Sequence, residues 1–133
     1  MDPLARLLDE RAIEAMIVDY AGLNDAGDWD AVAAMYVAEG RMSRPTAPDA
    51  FIEGADAILA AFKARPPRAS RHVVANIRVN VNGDEASATS QILLFTAAGQ
   101  PPLVGTYADR LVRTAQGWRF AERRGSLDFP PPA

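Results

Sequence analysis

Arg71-His72-Val73-Val74-Ala75-Asn76-Ile77-Arg78-Val79-Asn80-Val81-Asn82-Gly83-Asp84 reads as a β-strand running into a tight turn. Side chains alternate across a strand, so Val73, Ala75, Ile77, Val79 and Val81 share one face. His72, Val74, Asn76, Arg78 and Asn80 share the other. The pair Asn82-Gly83 is the chemistry of a two-residue hairpin, which sends the chain back antiparallel. The next strand is expected over 85–96, a loop over 97–102 and a third strand over 103–114. Gln116-Gly117 then makes a turn into a fourth strand over 118–128. Three consecutive hairpins give an antiparallel meander. A continuous apolar face such as Val73–Val81 has to be covered by helices or by another subunit.

Upstream the period changes from two to 3.6. Asp2 followed by Pro3 is an N-cap followed by proline in the first turn. Leu4, Leu7, Leu8, Ile13, Met16, Ile17, Tyr20 and Leu23 recur at helical spacing, with Asp9-Glu10-Arg11 as a place where the helix could kink or divide. Gly27 ends this segment. Asp28 can cap a second helix carrying Trp29, Val32, Ala33, Met35 and Tyr36. In 39–50, Arg41-Met42-Ser43 could be a short strand, but Pro45 and Pro48 argue for a loop. A third helix is expected over about 55–64, stopped by Pro66-Pro67. Pro130-Pro131-Pro132 reads as a frayed tail. Helices first and strands after make the fold class α+β.

The chain has 133 residues, the size of one domain (1–133), with 49% hydrophobic and 23% charged residues, an ordinary globular balance. A net charge of −3 with no basic stripe argues against nucleic acid as a partner. No apolar run reaches the length of a membrane span, and the N-terminus lacks the basic start and apolar stretch of a signal peptide. There is no cysteine, which removes disulfides, thiol catalysis and thiolate metal sites and fits a cytoplasmic protein. With one histidine and no phosphate loop or nucleotide fingerprint, neither a metal nor a cofactor is expected.

That single histidine, His72, is the natural candidate for acid–base work near neutrality. Asp25, where the first helix gives out, and Tyr20, a little over one turn earlier, could converge on it. A carboxylate in the last turn of a helix is disfavoured by the helix dipole, so something else should favour acid at position 25, although the start of the next helix at Asp28 is an alternative reason. Tyr20 is in phase with the apolar face of its helix, where it is either a core aromatic or a hydroxyl donor to a pocket. Trp29, Met35, Phe62, Phe95, Trp118 and Phe120 read as core or cavity lining. Asp109 and Arg110 are adjacent on a strand and point to opposite faces. The charged run Arg119, Glu122, Arg123 and Arg124 reads as solvated or as joining subunits.

The order and spacing of several pieces resemble the SnoaL-like group of the nuclear transport factor 2-like superfamily. These pieces are Ala12-Ile13 through Tyr20, Asp25-Ala26-Gly27-Asp28-Trp29-Asp30, Gly54, His72 with Asn76, Gly83-Asp84, Gly105-Thr106-Tyr107-Ala108-Asp109 and Gly117-Trp118-Arg119-Phe120. The resemblance implies a cone-shaped α+β barrel, three N-terminal helices packed in a strongly curved antiparallel sheet, with a deep and mostly apolar cavity. It also implies a homodimer joined through the sheet face. Around Asp25 and His72 the chain is similar to bile-acid 7α-dehydratase, scytalone dehydratase and lindane dehydrochlorinase. In those enzymes the pair is the proton-transfer unit of an elimination. The bile-acid enzyme also has a tyrosine five residues before its aspartate, as Tyr20 stands before Asp25. The second histidine of scytalone dehydratase is missing here.

The resemblance thus implies a cofactor-independent lyase or isomerase, of the polyketide cyclase and dehydratase kind, acting on a small hydrophobic cyclic molecule. His72 would be the base, Asp25 its orienting partner and Tyr20 an oxygen-directed donor, with Trp29, Tyr36, Asn76, Tyr107 and Phe120 binding the ligand. Two other readings stand beside it: a non-catalytic small-molecule-binding module, and a structural protein like the small subunit of ring-hydroxylating dioxygenases.

Overall fold

A computed structural model describes residues 2–130; the last two prolines of the expected frayed tail lie outside the described residues. Helix α1 (Pro3–Ala26) begins where Asp2 accepts a hydrogen bond from the Ala5 amide and ends where Gly27 takes a left-handed conformation with φ 71°. It is not divided at Asp9-Glu10-Arg11. Asp9 instead receives a two-pronged hydrogen bond from Arg113 at 2.8 and 2.7 Å and another from the Trp118 indole at 3.1 Å, tying the helix to the sheet. Helix α2 (Trp29–Ala33) is capped by Asp28 and is shorter than expected, leaving Tyr36 to open a strand. Helix α3 (Ala55–Lys63) follows Gly54 and stops before Pro66-Pro67.

The largest departure from the sequence reading is in 39–50. The expected loop is a pair of strands, β1 (Tyr36–Arg44) and β2 (Ala47–Glu53). Neither proline opposes this: Pro45 falls in the turn and Pro48 lies on β2, which is an edge strand and can do without a ladder donor. Strands β3 (Arg71–Asn82), β4 (Glu85–Phe95), β5 (Leu103–Thr114) and β6 (Gly117–Leu127) form the expected meander. The sheet order is β2-β1-β6-β5-β4-β3, a single six-stranded, curved and unclosed sheet. It is not wholly antiparallel, because β1 runs parallel to β6. The helices pack against the sheet and bury a core that includes Ile13, Ile17, Tyr20, Val32, Ile58, Phe62, Leu111, Trp118 and Phe120. Phe95, expected inside, faces out at 38% exposure.

Within the meander, β-bulges in β3 and β6 break the simple alternation. In β3 the pairing slips between Ala75 and Arg78, with Asn76 at φ 54°, a conformation asparagine tolerates better than most residues. His72 and Val74 face inward before the bulge, and Ile77, Val79 and Val81 face inward after it. The supposed continuous face from Val73 to Val81 therefore does not exist. In β6, Phe120 pairs with Leu111 and Glu122 with Arg110, so Ala121 is the extra residue. Trp118 and Phe120 face inward before it and Arg123 after it.

Gly125 shows how closely the β1–β2 turn is seated. A Cβ there would stand 2.6 Å from the backbone nitrogen of Pro45 and 2.7 Å from its Cδ. Neither atom can rotate away, so Gly125→Ala is expected to destabilise the protein by about 1–3 kcal/mol, read as a lowered Tm and urea midpoint.

Candidate functional site

The last turn of α1 and the first residues of β3 meet at Asp25 and His72. The Asp25 carboxylate receives the backbone N–H of His72 at 2.9 Å and the Ser70 hydroxyl at 2.9 Å, and lies 2.6 Å from His72 Nδ1. Only 15% of the aspartate side chain and 11% of the histidine side chain is exposed. Asp28 alone caps α2, so the acid at position 25 is explained by its partners on β3 and not by the next helix. Burial pushes the Asp25 carboxyl upward, but the hydrogen bonds from the His72 backbone, the His72 ring and Ser70 outweigh it and hold the group below its ordinary value of 3.8. The carboxylate thus stays ionised and can accept Nδ1–H. Nε2 of His72 has no hydrogen-bond partner among the described residues, so in that tautomer its lone pair is free.

Because the folded carboxyl is depressed, its contribution to stability is complete above the unfolded carboxylate pKa and fades as pH falls through the lower folded value. Asp25→Asn is expected to lose about 1.5–3 kcal/mol near neutrality, the worth of hydrogen bonds to a charged group. The gap to wild type should close below about pH 4 in urea titrations. A gap that is constant with pH would remove the electrostatic account.

His72 lies between two spaces. Outside is a cleft of about 370 Å³, lined by Asn24, Asp25, Gly27 and Trp29 around the end of α1, by Lys63, Arg65, Pro66, Pro67 and Arg68 from the end of α3 onward, and by Ser70 and His72 at the start of β3. Inside is a hollow of only about 10 Å³, lined by Ile17, Tyr20, Asn24, Val74, Ile92, Tyr107, Arg123 and the same His72. That is room for one water at most. The deep apolar cavity expected from the resemblance is thus replaced by a packed interior and a more polar outer cleft.

The sequence-predicted residues divide accordingly. Trp29 lines the outer cleft and stacks on Phe62 with ring centroids 5.0 Å apart. Tyr20 and Tyr107 line the hollow. The Tyr20 and Tyr36 hydroxyls are hydrogen-bonded at 3.0 Å, and Tyr36 and Phe120 pack behind Tyr20 in the core. Asn76 is not brought to the site. The bulge turns it to the outer face, where its amide donates to Gln91.

Arg123 is the residue the sequence reading missed. The charged run that contains it reads as solvated or as joining subunits, yet Arg123 is 2% exposed within the single chain. Its Nε donates to Asp109 at 3.0 Å, and its guanidinium lies over the rings of Tyr107 (4.0 Å) and Tyr20 (4.3 Å). Burial pulls its proton affinity down, but Asp109 and the surrounding phenols outweigh that and keep it protonated. Burial pushes Asp109 above the ordinary carboxylate range against the pull of Arg123. Burial likewise raises the phenols, Tyr107 to about 12, even with the arginine opposing it. Near neutrality these hydroxyls are therefore donors and not bases. Ser70 is the other residue missed as a site member; its position two residues before His72 was the available signal.

Among the described residues there is no cluster of acids and histidine that could hold a metal ion, and no helix is long and apolar enough to cross a membrane.

Several solved structures share this architecture. An NTF2-like protein with a cystatin-like fold from Novosphingobium aromaticivorans is 26% identical, with a TM-score of 0.84 over 94% of this chain and 85% of that one. A second protein from the same organism, provisionally named a scytalone dehydratase, is 27% identical, with a TM-score of 0.79 over 96% and 92%. A third, provisionally named an aromatic ring hydroxylase, is 21% identical and shares the fold at a TM-score of 0.81 over 98% and 94%. No curated protein matches the chain in sequence. The model of the SnoaL-like domain matches residues 5–124, nearly the whole chain. With that match and the helices packed on a curved six-stranded sheet, the chain belongs to the SnoaL-like family of the nuclear transport factor 2-like superfamily.

Proposed function

We propose that this chain is a lyase or isomerase that removes a proton from a carbon next to a carbonyl group, in a small, largely apolar cyclic compound bound in the outer cleft. The observation that carries the reading is the buried Asp25–His72 contact at 2.6 Å, with the opposite ring nitrogen unpartnered. Likeness to a protein provisionally named a scytalone dehydratase supports an elimination over other chemistries.

The step is general base catalysis. His72 Nε2 takes the proton, and the electron pair of the broken C–H bond moves to the carbonyl oxygen to give an enolate. Asp25 stabilises the imidazolium so formed. In an elimination the enolate collapses, the β carbon–oxygen bond breaks, and the imidazolium returns its proton to the departing hydroxyl, which leaves as water. In an isomerisation the same proton goes back to a different carbon. Tyr20, which lines the hollow and not the cleft, is the proposed oxygen-directed donor, acting through the one water that the hollow can hold. When Tyr36 donates to Tyr20, the Tyr20 proton is free to point into the hollow behind His72. Arg123 beneath the Tyr20 ring favours negative charge on that side.

The test is proton exchange into deuterated water, followed by NMR on a panel of cyclic ketones and β-hydroxy ketones. Wild-type protein should speed deuterium uptake at the carbon next to the carbonyl, and His72→Ala should not. Binding of these compounds with no exchange of any of them would overturn the proposal in favour of a binding module.

A further inference from the structure

The stretch from Lys63 to Arg68 that lines the outer cleft is cationic, and its two arginines lack counter-charge among the described residues. They are Arg65 and Arg68, and Arg44 lies close enough for its charge, like that of Arg68, to press on Arg65. None of the three arginines has a carboxylate within ion-pairing distance among the described residues. Arg44 donates one Nη to the Ala61 carbonyl at 3.2 Å, and its Nε is buried with no partner. Arg65 is half-buried, its guanidinium over the Phe62 ring at 4.9 Å, on the ring that stacks on Trp29. The C-terminal dipole of α3 accounts for a cation in its last turn, Lys63, which pairs with Asp30 at 3.5 Å. It accounts as well for Arg44, which donates to the Ala61 carbonyl in that turn, but not for Arg65 and Arg68, which follow it. The one acid lining the cleft, Asp25, is already occupied by His72 and Ser70.

Like charges gathered without an acid, two of them half-buried, are unfavourable unless an anion joins them. We propose that the cleft takes its substrate as a carboxylate, gripped by Arg65 with Arg68 at the rim, the apolar body lying against Trp29 and Pro66-Pro67 and the reacting carbon at His72. A guanidinium presents paired donors at the spacing of the two oxygens of a planar carboxylate, which is why an acid is favoured over a neutral polar group. The proposal rests on the proton-transfer reading for what happens at His72, but the acid-binding half stands alone.

The test uses the whole chain and three matched acid–ester pairs: benzoate, 4-oxocyclohexanecarboxylate and 1-naphthoate, each against its methyl ester. Binding is followed by the NMR signals of the Arg65 Nε–H and the His72 ring. At least one acid is expected to bind at least tenfold more tightly than its ester and to move both signals. Arg65→Gln should reduce the acid to the level of its ester while leaving the ester unchanged, and Arg68→Gln, at an exposed position, should weaken the acid severalfold. The preference should persist in His72→Ala, so loss of proton transfer and loss of acid recognition are separately visible. No acid binding better than its ester, an unchanged preference in Arg65→Gln, or inorganic phosphate displacing the acids at equal concentration would each overturn the assignment to a carboxylate.

Discussion

Asp109→Ala destabilises the protein by about 3–5 kcal/mol, the expected result of removing one member of a buried ion pair. Asp109 and Arg123 stand opposite each other on β5 and β6, 3.0 Å apart, with side-chain exposures of 0% and 2%. Without the carboxylate, Arg123 is left as an uncompensated charge held only by the faces of Tyr20, Tyr107 and Phe120. Those aromatic faces offset part of the loss, at about 0.5–2 kcal/mol each, and set the lower end of the range. Replacing both partners together, Asp109→Leu with Arg123→Met, should recover most of the stability, because the desolvation of both charges disappears with them. Urea midpoints of Asp109→Ala and of the double variant measure this directly. A single variant within about 1 kcal/mol of wild type would show that water reaches the pair and that the packed interior is more open than described. The double variant should still be impaired in reaction, since the positive charge beneath Tyr20 is gone.

His72→Ala is expected to lower proton exchange by about 10²–10⁴-fold, the usual worth of a positioned general base. The loss should fall on turnover and not on binding, because the cleft walls at Trp29 and Arg65 are untouched. Asp25→Asn should lose activity as well. An asparagine can still accept the His72 backbone N–H, but it carries no charge to stabilise an imidazolium and can turn an N–H toward Nδ1. The alternative in which the phenols act as bases gives the opposite pattern. Tyr107 titrates only at about 12, so a phenol base would leave His72→Ala active with a strongly alkaline profile.

The meander and the helix caps were legible because each has a strong local signature, whereas the meeting of positions 25 and 72 was suggested by the resemblance, with the acid in the last turn as its one local hint. Asp2-Pro3, Gly27 and Asn82-Gly83 each serve one backbone geometry well, and an acid in the last turn of a helix asks for a partner. What was illegible has one main cause. Reading β-strands with a strict period of two fails after a bulge, and a bulge leaves little trace in the sequence. The slip at Asn76 removed that residue from the site, and the slip at Ala121 brought Arg123 into it. The β1–β2 pair was hidden for a different reason: proline argues against strands in general, but an edge strand and a turn accommodate it. The polarity of the cleft was hidden because Arg44 ends β1 while Arg65 and Arg68 lie in the connection between α3 and β3, and only the fold brings Arg44 to them.

The central claim is that Asp25 holds the His72 ring with its proton on Nδ1 and its working lone pair on Nε2. The chain has a single histidine, so the ring nitrogens give one unambiguous pair of ¹⁵N resonances. With the ring in its neutral form they should show a protonated Nδ1 and a bare Nε2, and Asp25→Asn should abolish that preference. A proton on Nε2 in the wild-type protein, or a tautomer mixture indifferent to Asp25→Asn, would contradict the account.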